Sequence, residues 1–321
     1  MTDSAPMHIL LTGRIAAADR AAWLHALRDA APAAHWWSID DSDLPRAAIE
    51  AAVVANPAPG VLAGMPRLRL VQSLWAGVES LLADTTLPSQ VPLARMVDPM
   101  MNAAMAETAL WAVLSLHRGF FDYAAQQRGG VWHQLAQRRA EALSVLLLGF
   151  GQMGRAVATR LAAQRYNVQA WHALPNAHPA PEGVGVHAGH DALAALLPAA
   201  QIVVNLLPMT PATRGLLDAR FFAALPRGVS LVNLARGAHV VESDLLAALD
   251  SGHLQHAVLD VFAEEPLASG HAFWQHSQVT VLPHVAALTD LRSAAQVVAA
   301  NLQALREDAP LAHLVDRARG Y

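Results

Sequence analysis

Short runs of apolar residues alternate along the chain with alanine-rich segments whose apolar positions have helical spacing. In the first third, the runs predict strands at residues 8–11, 35–39, 53–56, 68–74 and 93–97, with a helix over 21–30. Strands that alternate with helices in this way are typical of an α/β unit with a parallel sheet. A longer helical segment, 100–126, follows Asp98-Pro99, where a cap and a first-turn proline favour initiation. We therefore end the first domain at residue 97.

The second part of the chain repeats the strand and helix pattern more strongly. Strands are predicted at 143–148, 167–171, 202–207, 229–234, 256–262 and 279–282, and helices at 153–164, 191–197 and 243–251. Strands that are apolar at nearly every position are expected where helices cover both faces of a parallel sheet. The expected fold class is α/β, with two doubly wound parallel-sheet domains. A last helical segment, 290–306, cannot be assigned to either domain from its periodicity.

Composition narrows the chemistry that the chain can perform. It has 321 residues, of which 54% are hydrophobic and 15% charged, which predicts two domains with large interiors. The absence of cysteine excludes disulfides, thiolate metal sites and a cysteine nucleophile, and we expect no metal site. The chain also lacks lysine, so all 22 basic residues are arginine. This excludes Schiff-base chemistry and leaves arginine as the permanent cation for binding anions.

Charge and hydropathy exclude two kinds of partner. The net charge is −4 and the only basic pair that stands out is Arg138-Arg139, so a nucleic-acid partner is not expected. The uncharged stretch 192–213 contains three prolines, which a membrane-spanning helix would not tolerate. Residues 1–6 lack the positive charge of a signal peptide. We expect a soluble, cytoplasmic protein with a small-molecule substrate.

A glycine-rich turn follows the strand at 143–148. The residues Gly149, Phe150, Gly151, Gln152, Met153 and Gly154 form a G-x-G-x-x-G pattern that opens a helix. In such a turn the first glycine allows a tight bend, the second lets the backbone approach a pyrophosphate, and the third lets the helix pack on the strand. The helix N-terminus supplies N–H donors to the anion. The strand before and the helix and strand after predict a dinucleotide site.

The residues that end the next strand bear on the choice of dinucleotide. An acidic residue there would bind the ribose 2′-hydroxyl of NAD and repel the 2′-phosphate of NADP. The chain instead has Trp171, His172, Ala173 and Leu174, and its next carboxylate is Glu182. We expect NADP, with NAD as the alternative, because the arginine that would favour NADP is also missing from these positions. His172 is a candidate cofactor contact, although a solvated loop histidine is the ordinary alternative.

Three later strands each end in a polar residue that could carry chemistry. Arg236, Glu265 and His284 follow the predicted strands 229–234, 256–262 and 279–282. Ligands of doubly wound sheets bind outside the carboxyl ends of the strands. An arginine that clamps an anion, a histidine acid and a carboxylate partner suit the reduction of a carbonyl beside a carboxylate. Each residue taken singly is more often structural or solvated, and Asp260, inside its strand, is best explained by a buried hydrogen bond.

Together these motifs resemble the D-isomer-specific 2-hydroxyacid dehydrogenase family over nearly the whole chain. The matching segments are 149–154, 205–210, 232–237, 259–266 and 282–287. The resemblance implies that Arg236 binds the substrate, that His284 is the general acid/base and that Glu265 is its partner. The segment Leu74-Trp75-Ala76-Gly77-Val78 is similar to the family loop whose N–H groups bind the substrate carboxylate. A glycine turn after a strand is the alternative for this segment.

The resemblance carries further expectations about cofactor, domains and assembly. It implies cofactor contacts at the following positions: Gly149, Gly151, Gln152, Met153, Gly154, His172, Leu207, Pro208, Ala235 and Asp260. It implies a flavodoxin-like substrate domain of residues 1–97 and 288–321, a Rossmann domain of residues 98–287, and a homodimer that pairs through the Rossmann domains. Within the family, the chain looks most like the glyoxylate/hydroxypyruvate reductase A group, although the arginine usual after the second strand of its NADP-dependent members is absent.

The predicted reaction is hydride transfer from NAD(P)H to a small 2-oxo acid such as glyoxylate or hydroxypyruvate. His284 would protonate the developing alkoxide while Arg236 and the backbone of Trp75, Ala76 and Gly77 hold the carboxylate. Two alternatives stay open at this point. One is a dinucleotide-sensing binding protein of the same fold without turnover, and the other is a reductase for a larger 2-oxo acid. The three intact polar residues favour an enzyme over the sensor.

Overall fold

The structure, a computed structural model, describes residues 6–174 and 179–321. The sequence analysis found no signal-peptide charge in residues 1–6. Residues 1–5 of this segment lie outside the described residues. The chain divides into two compact units. Unit 1 comprises residues 1–100 and 289–321, and unit 2 comprises residues 101–288. The substrate and cofactor roles predicted for the two domains stay predictions at this point.

Unit 1 is built on a parallel sheet of five strands in the described residues. The strands are β1 (Met7–Gly13), β2 (Ala34–Ser38), β3 (Ala51–Ala55), β4 (Leu70–Ser73) and β5 (Leu93–Ala94), and the helices are α1 (Ala17–Ala30), α2 (Glu79–Leu82) and α9 (Leu291–Arg306). The strand order is β2-β1-β3-β4-β5. This is the flavodoxin-like order, in which the first strand lies inside the sheet and helices cover its faces.

The helix α9 joins the end of the chain to unit 1. Asp290 caps it by accepting hydrogen bonds from the backbone N–H groups of Arg292 and Ser293. On its buried face, the Asn301 amide donates to Gln72 Oε1 at 2.7 Å, inside the β4 strand. Because this face is apolar apart from Asn301, packing of α9 in unit 1 removes a full stripe of side chains from water.

Unit 2 has a parallel sheet of seven strands in the described residues. The strands are β6 (Ser144–Leu148), β7 (Asn167–His172), β8 (Val184–Ala188), β9 (Ile202–Asn205), β10 (Val229–Asn233), β11 (Leu254–Leu259) and β12 (Val279–Val281), and the helices are α3 (Pro99–Arg118), α4 (Phe120–Gly129), α5 (Gln152–Ala163), α6 (His190–Leu196), α7 (Ala219–Ala223) and α8 (Glu242–Asp250). The strand order is β12-β11-β10-β9-β6-β7-β8. It is the Rossmann order with one further strand at the β12 edge.

The core of unit 2 lies on both faces of this sheet. Leu146 and Leu148 of β6 face one apolar cluster, while Val145 and Leu147 face the other. Side chains of a strand alternate between faces, so a strand with apolar residues at every position serves two cores. The predicted fold class, two doubly wound parallel-sheet domains, is confirmed.

Two of the differences from the sequence prediction have a clear physical cause. The helix predicted over 100–126 is two helices, because Gly119 adopts a left-handed conformation with φ of 68° between α3 and α4. The strand β8 was not predicted, since its residues are only partly buried and carry Gly185 and His187 among the valines. Within the described residues, no helix is long and apolar enough to cross a membrane, and no group of three or more metal-binding side chains could hold an ion.

Candidate active site

The strands of unit 2 end in register along one edge of the sheet. The paired residues in this row are Trp171, Leu148, Asn205, Asn233, Leu259 and Val281. The residues that follow each strand therefore meet at the same edge. This register brings the glycine turn after β6, the segments after β9 and β10, and the predicted catalytic residues after β10, β11 and β12 to one side of unit 2. It is the edge at which doubly wound sheets bind ligands.

The turn between β6 and α5 has the backbone geometry that a dinucleotide site requires. Gly149 has φ of 101°, and a Cβ atom there would lie 2.6 Å from the carbonyl oxygen of Leu206. A Cβ atom on Gly154 would overlap the carbonyl oxygen of Gly149, so these two glycines let α5 pack on β6. A Cβ atom on Gly151, by contrast, would have no atom of the described residues within 4 Å apart from those of its chain neighbours. The open space beside Gly151 fits the approach of a pyrophosphate.

The first turn of α5 completes this cradle. Gly151 is the N-cap residue and supplies no side-chain acceptor, so in residues 6–174 and 179–321 no side chain caps the first N–H groups of the helix. Gln152 and Met153, both predicted cofactor contacts, occupy this turn and are exposed and half-buried. N–H groups at a helix N-terminus favour a bound anion. The residues present therefore fit a dinucleotide, with its pyrophosphate at Gly151 and the start of α5.

A buried polar network joins the segments that follow β9 and β10. The Asn205 amide donates to Asn233 Oδ1 at 2.9 Å and to His239 Nδ1 at 2.9 Å. Asn205 and Asn233 accept in turn from the backbone N–H groups of Leu207 and Ala235. These contacts fix two of the predicted cofactor-binding segments. Because Nδ1 of His239 accepts, its Nε2 carries the proton and donates to the carbonyl oxygen of Pro208 at 3.3 Å.

Asp260, which was predicted to lie inside its strand, instead lies directly after β11, and it is 1% exposed. Its carboxylate accepts from the backbone N–H groups of Val285 at 2.7 Å and Ala286 at 3.0 Å, and its carbonyl oxygen accepts from His284 N–H at 2.9 Å. Burial raises the pKa of Asp260, whereas the hydrogen bonds from Val285 and Ala286 lower it. Asp260 therefore holds the segment after β12, in which His284 has φ of 56°.

Glu265 and His284 form a hydrogen-bonded pair. The distance from His284 Nδ1 to Glu265 Oε2 is 2.7 Å, and the other carboxylate oxygen accepts from the Phe262 N–H at 3.0 Å. The imidazole is held at Nδ1 and by its backbone, and its side chain is 52% exposed. Among the described residues, none forms a hydrogen bond with Nε2. This nitrogen is the atom of the pair that can transfer a proton to a ligand.

Arg236 begins the turn after β10 and is half-buried. Its Nη1 donates to the carbonyl oxygen of Ala235 at 2.6 Å, and its own carbonyl oxygen accepts from the Asn233 amide at 3.0 Å. The next residue is Gly237, where a Cβ atom would overlap the backbone of Phe262. This close approach brings the turn that carries Arg236 against the end of β11. Gly237 is a positioning residue that the sequence analysis missed.

The predicted substrate segment of unit 1 follows β4. Trp75 N–H donates to Ser73 Oγ at 3.0 Å, and the Trp75 carbonyl oxygen accepts from Met96 N–H at 3.0 Å. In the described part of the chain, the N–H groups of Ala76 and Gly77 donate to no acceptor. All three residues are half-buried. N–H groups of two half-buried residues that donate to no described acceptor are suited to an anionic group, as the family resemblance implies for a carboxylate.

Two further residues near the glycine turn emerge only from the structure. Arg155, one residue after Gly154, donates from Nη1 to the carbonyl oxygen of Pro179 at 2.9 Å. His239 completes the buried network described above. The hydrogen-bond partners of both side chains lie 24 or more positions away along the chain. A pattern of local spacing gives no signal for such contacts, although the histidine does follow the predicted strand end by a few residues.

Comparison with known proteins agrees with this geometry. Residues 110–286 match the family model described as the NAD binding domain of D-isomer specific 2-hydroxyacid dehydrogenase. The chain is 40% identical over 307 residues to the glyoxylate/hydroxypyruvate reductase A of Serratia proteamaculans, covering 93% of this chain and 96% of that protein.

Solved structures give the same result. A D-isomer specific 2-hydroxyacid dehydrogenase from Xanthobacter autotrophicus, in complex with NADPH and MES, is similar with a TM-score of 0.92 and 37% identity over 99% of this chain and all of that one. An NADPH-dependent glyoxylate/hydroxypyruvate reductase from Sinorhizobium meliloti, in complex with NADP and sulfate, has a TM-score of 0.89 and 33% identity over 98% of this chain and all of that one. The family predicted from the sequence is therefore confirmed, and the chain belongs to the D-isomer-specific 2-hydroxyacid dehydrogenases.

Proposed function

We propose that this chain reduces small 2-oxo acids, with glyoxylate and hydroxypyruvate as the preferred substrates, to 2-hydroxy acids. The observation that carries the proposal is the Glu265–His284 pair, held at the same sheet edge as a dinucleotide-binding turn. The names of the Serratia and Sinorhizobium relatives support the substrate class. An imidazole oriented by a carboxylate next to a dinucleotide site is what the reduction of a carbonyl requires.

The proposed cofactor is NADPH, with NADH as the alternative. When bound, the reduced nicotinamide supplies the hydride that the substrate carbonyl receives. Gly149, Gly151 and Gly154 shape the pyrophosphate site, and the segments at Leu207-Pro208 and Ala235 line the same sheet edge. The Xanthobacter and Sinorhizobium neighbours contain NADPH and NADP. No described carboxylate follows β7 before Glu182 to repel a 2′-phosphate.

In this mechanism, each polar residue of unit 2 has a separate task. His284 donates the proton on Nε2 to the oxygen of the substrate carbonyl, which becomes the hydroxyl of the product. Glu265 accepts the hydrogen bond from Nδ1, so it fixes the ring plane and the tautomer while the proton leaves from the opposite nitrogen. Arg236 binds the substrate carboxylate, for which a guanidinium offers two parallel donors.

Trp75, Ala76 and Gly77 of unit 1 are proposed to bind a carboxylate of the substrate through their backbone. The N–H groups of Ala76 and Gly77, which donate to no acceptor among the described residues, support this role. Trp75 would limit the size of the substrate. On these assignments, a short loop after β4 sets the preference for small acids. We therefore predict poor turnover of phenylpyruvate.

The test is oxidation of NADPH and, in parallel, of NADH with glyoxylate, hydroxypyruvate, pyruvate and phenylpyruvate. We expect turnover of the two smallest acids with NADPH. His284→Gln should lower kcat by about 10²- to 10⁴-fold and leave NADPH affinity unchanged, because the acid acts only in the transition state. His190→Gln, at an exposed histidine of unit 2, is the matched control. NADPH binding without turnover of any acid would favour the dinucleotide-sensing alternative.

We propose further that two chains pair through unit 2. Large apolar side chains are exposed on α3, α4 and the segment that follows: Trp111 is 42% exposed, Phe120 53%, Val131 55% and Trp132 96%. Exposed aromatic residues in one region are typical of a protein interface. Sedimentation equilibrium of the intact chain should give twice the mass of 34.1 kDa. A monomer at micromolar concentration would contradict the homodimer.

A cytoplasmic location also stays a proposal. It is supported by the reaction, which consumes a diffusible reduced dinucleotide as a co-substrate. Fractionation of cells that express the untagged chain would test it, and recovery of the activity outside the cytoplasmic fraction would contradict it.

A further inference from the structure

Arg155 lies beside the carboxyl ends of the first two strands of unit 2. It is the fourth residue of α5, directly after Gly154, and its side chain is half-buried. Nη1 donates to the carbonyl oxygen of Pro179, a residue in the segment that follows β7. The guanidinium is therefore held between the start of α5 and the segment after β7. Arg155 itself is a residue of α5 and belongs to neither β6 nor β7.

Two aromatic rings border this position. The Cζ atom of Arg155 lies 5.4 Å from the centre of the Phe150 ring, within reach of a cation–π interaction. The centre of the Phe150 ring is in turn 6.3 Å from that of the His172 ring, and the two rings are stacked with an angle of 23° between their planes. The glycine turn, the end of β7 and the guanidinium thus lie next to one another around the buried Phe150 ring.

The charge of Arg155 is not balanced by a carboxylate. In residues 6–174 and 179–321, no ion pair involves this side chain. The one hydrogen bond to Pro179 uses a single donor of the five that a guanidinium has. Residues 173–181 contain neither an acidic nor an arginine residue. A cation with unused donors on α5 therefore faces the end of β7. The segment that follows β7 supplies no arginine of its own.

This position matches the chemical difference between the two dinucleotides. NADPH carries a 2′-phosphate on the ribose that binds at the end of the second strand of a Rossmann domain, and an arginine nearby accommodates it. Guanidinium and phosphate form strong, paired hydrogen bonds. We infer that Arg155 binds the 2′-phosphate of NADPH and makes the enzyme prefer NADPH to NADH. The inference rests on the proposed function only in taking NADPH as the cofactor.

The test is equilibrium binding in the absence of any 2-oxo acid. Affinities of the intact chain for NADPH, NADH, 2′,5′-ADP and 5′-AMP are measured by calorimetry for the wild type and for Arg155→Gln. Glutamine keeps a donor for Pro179 but removes the charge. NADPH and 2′,5′-ADP should bind about tenfold more weakly or worse, while NADH and 5′-AMP bind as in the wild type. Arg160→Gln, on the exposed part of the same helix, should change none of the four affinities.

Three results would overturn the inference. One is an Arg155→Gln variant with the wild-type affinity for NADPH, which would put the phosphate on other residues. Another is equal weakening of NADPH and NADH, which would make Arg155 a structural part of the turn. The third is a wild-type chain that binds 5′-AMP as tightly as 2′,5′-ADP. Selective weakening in a chain that turns over no 2-oxo acid would support the inference while contradicting the proposed function.

Discussion

Asp260 is the residue on which the position of His284 depends. Its carboxylate and carbonyl oxygens accept from three consecutive N–H groups, those of His284, Val285 and Ala286. His284 has a positive φ, which a residue with a side chain adopts only when its surroundings hold it there. The hydrogen bonds from the two residues after it supply that constraint. Asp260 is thus a positioning residue for the proposed acid, in addition to its predicted contact with the cofactor.

Asp260→Asn should lower kcat by about ten- to a hundredfold. The asparagine amide can accept at only one atom, so its NH₂ group would face one of the two N–H groups and release the segment. Steady-state kinetics would show the loss, and hydrogen exchange at Val285 and Ala286 should become faster. Asp191→Asn, at an exposed aspartate, provides the control. Unchanged exchange together with unchanged kcat would show that Asp260 does not position His284.

For single residues, the sequence identifies candidate functional side chains better than it identifies the contacts that these side chains make. Arg236, Glu265 and His284 stand out because each follows an apolar run, and parallel strands bring such positions to one edge. The bond between Glu265 and His284 was expected from the family resemblance. Arg155 and His239 carry no comparable signal, because their partners come from distant parts of the chain. The role that we propose for Arg155 also contrasts with the expectation that an NADP-binding arginine would follow the second strand.

Among the elements, the β6–turn–α5 unit combines two different requirements for glycine. Gly154 is needed by the protein itself, because a Cβ atom would overlap the Gly149 carbonyl oxygen. Gly151 is not needed for packing, since a Cβ atom there would meet no described residue within 4 Å other than its chain neighbours. The first requirement concerns how closely the helix lies on the strand, and the second concerns how closely a ligand reaches the backbone.

The variants Gly154→Ala and Gly151→Ala should therefore behave differently. Gly154→Ala forces α5 away from β6, with an expected loss of about 1–3 kcal/mol in the stability of unit 2 and weaker NADPH binding. Gly151→Ala should keep the melting temperature of the wild type and weaken only NADPH binding. Differential scanning calorimetry and calorimetric titration measure the two properties. Equal loss of stability in both variants would refute this distinction.

Element boundaries show where sequence patterns stop being informative. Strands buried on both faces, such as β6 and β9, were predicted from their continuous apolar runs. The strand β8 lies at the sheet edge and is only partly buried, so its residues keep a mixed pattern. The division of the predicted helix 100–126 depends on the conformation of Gly119, and a single glycine is compatible with either a continuous or a broken helix.

For the molecule as a whole, a buried histidine couples stability to pH. His256 on β11 stacks on Phe121 of α4, with ring centres 4.4 Å apart, and its Nε2 lies 2.9 Å from Thr280 Oγ1 of β12. Burial, with a smaller contribution from His276, lowers the pKa of His256 to about 4. The unfolded chain, with an ordinary histidine pKa of 6.5, therefore binds this proton more tightly than the folded chain.

We expect unit 2 to lose stability as the pH falls from 6.5 towards 4. The loss attributable to His256 is about 2 kcal/mol at pH 5, and it fades above about pH 7, where the histidine is largely neutral in both states. His256→Gln should make the melting temperature less sensitive to pH over this range, although the lost stacking lowers it at pH 7. Thermal unfolding of both proteins at pH 7 and pH 5 tests this. Parallel decreases in the two melting temperatures would show that other groups cause the acid sensitivity.

Unit 1 is assembled from both ends of the chain, and this has a consequence for synthesis on the ribosome. Its first hundred residues emerge before any of unit 2, but α9, which Asn301 ties to Gln72 of β4, follows residue 288. The ribosome must add about 190 further residues first, which takes about 10–40 s at usual rates of translation. During this interval the apolar surface that α9 later covers is exposed. Unit 2 is continuous and can fold as it emerges, so the part synthesised first is the part completed last.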